Sequence, residues 1–364
     1  MFVANTSPVP HMPRYASLRC AYLIARIVLP ALCLALPMRA QRAPSATRPD
    51  STARRLAGQP LTLDDAARRR PRAAPRELAA LVGEYGDAVD SVIVLERGGR
   101  LIAMDGARER AVPVNAFARD STGRGHSLRF EARTLVRRAL GTDEGVTFRV
   151  TPLHPIDELR RAALAASPPH EPARARGAEL TELVALDSSI RLDIRYASTN
   201  NFLGAPMYSA ARAFLQRPAA DALVRAHRKL AAYGYGLLIH DAYRPWYVTK
   251  MFWEATTGAD HEFVANPAEG SKHNRGAAVD LTVCDRVTGR PIRMTGGYDE
   301  FSRRSYAAYP GGTALERWNR DLLRRVMEAE GFTVNPSEWW HFDYHSWRDY
   351  PVLNLPFDAV PARP

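Results

Sequence analysis

The chain is poor in cysteine. Its three, Cys20, Cys33 and Cys284, include no CxxC pair in 364 residues. That excludes a cysteine-rich zinc ribbon. Cys20 and Cys33 fall in an expected targeting segment, so the mature chain keeps one thiol and no disulfide, and cysteine usage does not assign a compartment. A long apolar run is also missing. The stretch Ile27–Leu36 is too short to span a bilayer comfortably. The basic stretches lack interleaved aromatics. The formal charge is +11, from 50 Lys and Arg against 39 Asp and Glu. Much of the excess lies in the first 180 residues, at Arg68–Arg70, Arg72, Arg76, Arg160–Arg161 and Arg174–Arg176, where arginine alternates with Ala and Pro. Such runs read as solvated linker or envelope attraction, and no nucleic-acid partner is expected.

Residues 1–40 have the shape of a secretory signal: Arg14 and Arg19 precede the apolar run, and Ala40 offers a small residue for cleavage. Export, to the periplasm, with no stable membrane span after processing, is the expectation. Residues 41–76 are rich in Ala, Arg, Pro, Ser and Thr without periodicity and read as linker. Residues 77–155 read as a small β-rich accessory module: Ser91–Glu96 and Arg100–Ala103 flank Arg97-Gly98-Gly99, and Ser127–Phe130 and Val146–Val150 resemble further strands. No catalytic constellation is visible there. Residues 156–178 read as a second linker.

From 179 to 360 the character changes, and all six tryptophans lie in this span. Helical periodicity runs over Phe214–Ala232, entered through Pro218 and left near Gly234. Gly236–His240 reads as a buried strand, Trp246–Ala255 as a helix, Ala277–Val283 as a strand and Arg286–Arg290 as its turn. Leu315–Glu330 is an amphipathic helix, and Gly331–Val334 and Trp339–Tyr344 supply the last strands. With no regular βαβ repeat, the fold class is α+β, not a doubly wound sheet.

Two segments carry chemistry. In Ser271-Lys-His273-Asn-Arg-Gly276-Ala-Ala278-Val-Asp280, His273 sits in a loop before a turning glycine and Asp280 lies among apolar strand neighbours. A carboxylate there is costly unless paired or bound to a metal. The second segment is Glu338-Trp-Trp-His341. Together His273, Asp280 and His341 offer three ligands and leave one position for water, the pattern of a catalytic zinc site and not a closed structural one. Glu338 is placed to act as base on that water. His345 tempts as a ligand, but four residues along a strand carries it too far away.

These segments resemble the zinc D-alanyl-D-alanine dipeptidases, within the superfamily of lysostaphin-type enzymes, D-Ala-D-Ala metallopeptidases and the hedgehog signalling domain. The Ser-x-His-x-x-Gly-x-Ala-x-Asp signature is complete from Ser271 to Asp280, and Glu-Trp-Trp-His is the dipeptidase form of the second segment. Arg195-Tyr-Ala-Ser-Thr-Asn-Asn-Phe202 and Asp241-Ala-Tyr-Arg244-Pro245 resemble two further family segments. The resemblance covers about residues 180 to 358. It implies a hedgehog/DD-peptidase-like domain around a central antiparallel sheet, with one zinc ion on His273, Asp280 and His341. Glu338 is then the general base and Arg244 stabilises the oxyanion, with Asp241 orienting it or contacting substrate. Tyr196 and Asp299 bind the substrate ammonium, and Ser271 lies near its carboxylate. The implied reaction is hydrolysis of D-Ala-D-Ala to free D-alanine in the cell envelope. The alternatives are a D,D-carboxypeptidase acting on peptidoglycan stems and a non-catalytic zinc-containing envelope-binding module. His240 stands where the family leads us to expect an aromatic residue, and it is left without a role.

Overall fold

The chain divides into two units at Gln59/Pro60. The computed structural model describes residues 69–87, 90–119, 125–138 and 148–360, all within the second unit. The expected targeting segment, with Cys20 and Cys33, lies outside the described residues, as does the expected linker up to residue 68. Among the described residues no helix is long and apolar enough to cross a membrane.

The first described stretch carries a short helix, α1 (Arg76–Ala79), and then β1 (Gly83–Gly86), β2 (Ser91–Arg97), β3 (Arg100–Asp105) and β4 (Arg108–Val112), an antiparallel sheet in sequential order. β5 (Phe117–Arg119), β6 (His126–Phe130) and β7 (Arg133–Val136) form a second antiparallel sheet. The turn at Gly98 and Gly99 has φ of 60° and 76°, which glycine adopts without penalty, and it closes the β2–β3 hairpin. A small core of its own joins the two sheets, with Tyr85, Val92, Val94, Leu101, Leu128 and Leu135 buried together.

The rest of the chain is built on a five-stranded sheet. In chain order come α2 (Ile156–Ala165), β8 (Leu180–Glu182), α3 (Leu183–Leu186), β9 (Arg191–Leu192), β10 (Phe214–Gln216), α4 (Arg217–Leu230), β11 (Tyr235–Asp241), α5 (Trp246–Ala255), β12 (Ala278–Asp285), α6 (Ala314–Glu328), β13 (Phe332–Asn335) and β14 (Glu338–Tyr344). The sheet order is β13-β14-β12-β11-β9, antiparallel except for the edge pair β11 and β9. The architecture is mixed α+β.

Alternation along β12 sets its two sides. Val279, Leu281 and Val283 join the large core with Leu237 and Ile239 of β11, and α4 and α6 pack there through Leu223, Leu230, Leu322 and Val326. Each such full burial contributes roughly 1.5–3 kcal/mol. α6 starts at a capping box, Thr313 accepting from the Glu316 N–H and Glu316 from the Thr313 N–H. α4 enters through Pro218, and the 3-10 turn that follows it, Ala231–Tyr233, ends at Gly234, φ 76°.

Three expectations need correction. Phe214–Gln216 is not the first helical turn; it pairs with β8 as β10, and the helix begins at Arg217. Of Val146–Val150, residues 146 and 147 lie outside the described residues, and Phe148–Val150 form no strand. The segment 156–178 is not linker. α2 buries Leu159 and Ala163, one helical turn apart, in the large core. Downstream of it Glu171 accepts from Arg275 Nη2 at 2.5 Å and from the Val352 N–H at 2.9 Å.

Candidate active site

Strand register assembles the site. In β12 and β14, Asp280 and His341 are direct cross-strand partners, and Asp241 of β11 is the partner of Asp280 on the other side. Cross-strand neighbours stand about 5 Å apart on one face. A bulge between Ile239 and Asp241 absorbs His240 and brings Asp241 into this row. Glu338 and His341 are three apart, a spacing that faces opposite sides of a regular strand. The register shifts between Val334 and Asn335, Trp339 and Trp340 are both buried, and Glu338 Oε2 lies 3.7 Å from His341 Nδ1.

His273 joins the row from a 3-10 turn. Gly276, φ 64°, turns the chain from that helix into β12, and a Cβ there would meet Leu180 at 2.5 Å. Buried Asn274 fixes the turn. It donates to the Arg244 carbonyl at 2.8 Å and Thr249 Oγ1 at 2.9 Å, and accepts from the Ser271 N–H at 2.7 Å.

One ligand atom from each of His273, Asp280 and His341 lies within 4.8 Å of the others, and all three residues are buried. Hydrogen bonds set the tautomers. His273 Nδ1 donates to the Ala242 carbonyl at 2.6 Å, which leaves its Nε2 lone pair facing the cluster. His341 Nε2 donates to Asp343 Oδ1 at 2.9 Å, which leaves its Nδ1 facing Asp280 Oδ1 at 3.0 Å. His273 Nε2 and His341 Nδ1 are 3.1 Å apart. Two lone pairs and a carboxylate oxygen therefore converge on one point, an arrangement that calls for a cation between them. Burial disfavours charge on His341, but Asp343 and Asp280 outweigh it and hold the imidazole well above its ordinary range, so positive charge is favoured at Nδ1, where a proton and a metal cation compete for the same lone pair. Burial also opposes charge on Asp280, and His273 and His341 hold it far below its usual range. The donor set fits a metal ion, and the outward nitrogens are fixed by a second layer of acceptors.

These groups open on one cavity of about 310 Å³. Its walls include Phe202, Phe252, Phe263, Phe301 and Trp347, with Arg244, Ser271, Tyr196, Asp299 and Glu338 among the polar lining. Burial pushes the Glu338 carboxyl up, while Asn335 donates to its Oε2 at 2.8 Å. Arg244 gives Nε and Nη2 to Asp241 Oδ2 at 2.9 and 2.7 Å and lies over the Tyr196 and Phe252 rings. Tyr196 donates to Asp299 Oδ2 at 2.8 Å. Burial lifts the Asp299 carboxyl well above its usual range, and Asp280 adds to it.

The structure thus brings eight of the nine expected residues to one cavity. Asp241 is the correction. It is 1% exposed, does not line the cavity, and has its oxygens taken by Arg244, Tyr208 and the Ala242 N–H. It orients Arg244 and does not reach the space a ligand would fill. His345 stands outside the metal-capable cluster, exposed beside Tyr344. His240 is buried, its ring 4.6 Å from that of Tyr298. Sequence reasoning missed Tyr298, which donates to Asp280 Oδ2 at 3.1 Å, and Asp343, which in turn accepts from Lys272 Nζ at 2.5 Å. Asp343 was findable, being two residues from His341 and so on the same strand face.

A family model described as D-ala-D-ala dipeptidase matches residues 176–354. The D-alanyl-D-alanine dipeptidase of Escherichia coli K12 is 35% identical over 175 residues, covering 48% of this chain and 89% of the relative. That of Enterococcus faecium is 32% identical over 187 residues, 46% of this chain and 91% of the relative. That of Streptomyces coelicolor is 35% identical over 175 residues, 43% of this chain and 87% of the relative. The matched span takes in the five-stranded sheet, the convergent His–Asp–His cluster and every residue discussed around it, and on these grounds the chain belongs to the D-alanyl-D-alanine dipeptidase family of metallopeptidases.

Proposed function

We propose that this chain is a zinc-dependent D,D-dipeptidase that hydrolyses D-alanyl-D-alanine to free D-alanine. The observation that carries the reading is a single cavity holding both the His273–Asp280–His341 cluster and the buried Asp299 carboxylate, whose one hydrogen-bond donor among the described residues is the Tyr196 hydroxyl. A cluster of two imidazoles and one carboxylate with an open side suits zinc, which when bound supplies Lewis-acid chemistry, polarising a carbonyl and acidifying water.

The chain's own residues do the rest. Glu338, raised by burial, takes a proton from the attacking water and returns it to the leaving amine. Arg244, locked by Asp241, meets the negative charge that develops on the scissile carbonyl oxygen. Asp299 and Tyr196 hold the substrate ammonium, and Ser271 lies toward its carboxylate. The phenylalanine walls exclude water from these charges and strengthen each contact. The same reading takes residues 179–360 as a hedgehog/DD-peptidase-like catalytic domain, 77–155 as an accessory module, and 1–40 as an export signal. The last rests on Arg14, Arg19 and the apolar run, and puts the reaction in the cell envelope.

The test is D-alanine release from D-Ala-D-Ala and from a stem pentapeptide, each with and without a chelator. Chelator-sensitive release from the dipeptide is expected. Release from the pentapeptide alone would assign a carboxypeptidase. Bound zinc with no hydrolysis of either would assign a binding module.

A further inference from the structure

Asp299 is one of two non-glycine residues among those described with positive φ, at 53°. A backbone in that region persists only where its surroundings hold it. Immediately around it the hold is local. Buried Glu300 accepts from the Gly297 N–H at 2.9 Å and from Ser302 Oγ at 2.7 Å, and pairs with Arg304 at 3.3 Å. On its C-terminal side the hold comes from the β-rich segment more than two hundred residues earlier in the chain. Glu84 of β1, 1% exposed, accepts from Arg303 Nε at 2.8 Å and from the Tyr309 hydroxyl at 2.9 Å. Arg303 Nη2 also donates to Ser91 Oγ at 2.8 Å. At the far end of the same loop, the Glu96 N–H donates to the Gly312 carbonyl at 3.2 Å, and Glu96 Oε2 accepts from the Ala314 N–H at 2.9 Å. Between the clamps the Ala307 N–H donates to the Pro336 carbonyl, two residues before Glu338.

We propose that the β-rich segment 83–138 is a positioning element for the amine end of the cavity, acting through the Glu84–Arg303–Tyr309 cluster on the loop that carries Asp299. It therefore sets the preference for a free-amine dipeptide over a longer or N-blocked peptide. This rests on reading Asp299 as the ammonium contact. A buried carboxylate shared by a guanidinium and a phenol fixes both donors in direction and distance, so the loop cannot drift without stripping both from Glu84 Oε1 and leaving Arg138 alone on Oε2. The matched family span begins at residue 176, so the clamp is an addition of this chain to that span.

The test compares Glu84→Gln with wild type in the full-length zinc enzyme, on D-Ala-D-Ala and on N-acetyl-D-Ala-D-Ala. For the free dipeptide, KM is expected to rise about tenfold, with kcat changed less than about twofold, as for an attenuated positioning contact. The blocked peptide should be indifferent, so the ratio of the two kcat/KM values narrows, and zinc content should stay at one per chain. An unchanged KM, or a loss of kcat and zinc together at fixed KM, would overturn the proposal. Should Glu84→Gln fail to fold, Tyr309→Phe removes one donor and keeps the ion pair, with the same split expected at about threefold. Asp299→Asn in the same assay separates the two readings. If it leaves the dipeptide KM unchanged, the ammonium assignment itself fails. If it raises KM where the Glu84 variant does not, only the positioning role fails.

Discussion

Glu84 and Asp299 are both almost fully buried carboxylates, 1% and 6% exposed, and the loop beginning at Asp299 connects them. Around Glu84 the donors close in from Arg303, Tyr309 and Arg138. Around Asp299 there is Tyr196 on one oxygen and a cavity on the other side. The same contrast separates the two regions. In the β-rich segment Glu96 is likewise closed, by the Gly99 and Ala314 N–H groups. At the five-stranded sheet Asp280 of β12, Glu338 of β14 and Asp299 of the loop after β12 all face one cavity, and two of them are pushed up by burial. Burial of an acid is therefore not the mark of a site. What marks it is an acid whose shell its own chain leaves unfinished. Removing an open group should cost activity and leave the fold. Removing a closed one should cost stability, and reach activity only through what it holds in place, as Glu84 does through the Asp299 loop.

The sharpest break would come from the cluster itself. His273→Ala is expected to lose bound metal, read by elemental analysis, and to fall to the activity of chelator-treated enzyme, while His345→Ala keeps both. The opposite result would mean that the convergent lone pairs are not the ligands. Next in size is Glu338→Ala, expected to keep its metal and its melting temperature but lose at least about a hundredfold in kcat. Metal loss in this variant would make Glu338 a ligand instead of a base. Smaller again is Asp343→Asn. It leaves every expected ligand in place and weakens the acceptor behind His341 Nε2, so metal affinity should fall about 10–100-fold while kcat at saturating metal changes little.

How much of this was legible in the chain depended on distance along it. His273, Gly276 and Asp280 sit in one ten-residue stretch, and the turn-then-strand that presents them follows from a glycine and an apolar alternation. The pairing of Asp280 with His341, 61 residues on, is a matter of register, which no local pattern encodes. β8, β9 and β10 are two or three residues long, too short to show a period, so Phe214–Gln216 passed for a helical turn. The Ala/Pro/Arg composition of 156–178 hid α2, whose buried face needs only Leu159 and Ala163. Asp241 was placed with the substrate contacts because the motif holding it is a site motif. The Tyr208 hydroxyl that helps to close its shell comes from another part of the fold, and the bulge at His240 that turns it into the row is set by pairing with β12.

Glu171 gives the comparison its mildest test, on a closed carboxylate beside the site and outside the β-rich segment. Burial opposes its charge, but Arg275 first, then the Val352 N–H and Arg174, outweigh that and lower its pKa to about 2. An acid with a depressed folded-state pKa contributes stability above its unfolded pKa, near 4.5, and loses that contribution as the pH falls toward about 2. Through this window the unfolded chain binds a proton that the folded chain refuses, so folding is favoured as pH rises. With solvent screening allowed for, the contribution at neutral pH is on the order of 1–2 kcal/mol, and each kcal/mol moves the melting point of a domain of this size by about 2–4 °C. Glu171→Gln is thus expected to melt a few degrees below wild type at pH 7, with the gap narrowing from about pH 5 downward and kcat/KM nearly unchanged. A gap that stayed constant with pH would make the contact one of packing. A collapse of activity at unchanged stability would place Glu171 with the open acids, because Arg275, its partner, is two residues from His273 and leads directly into the Gly276 turn.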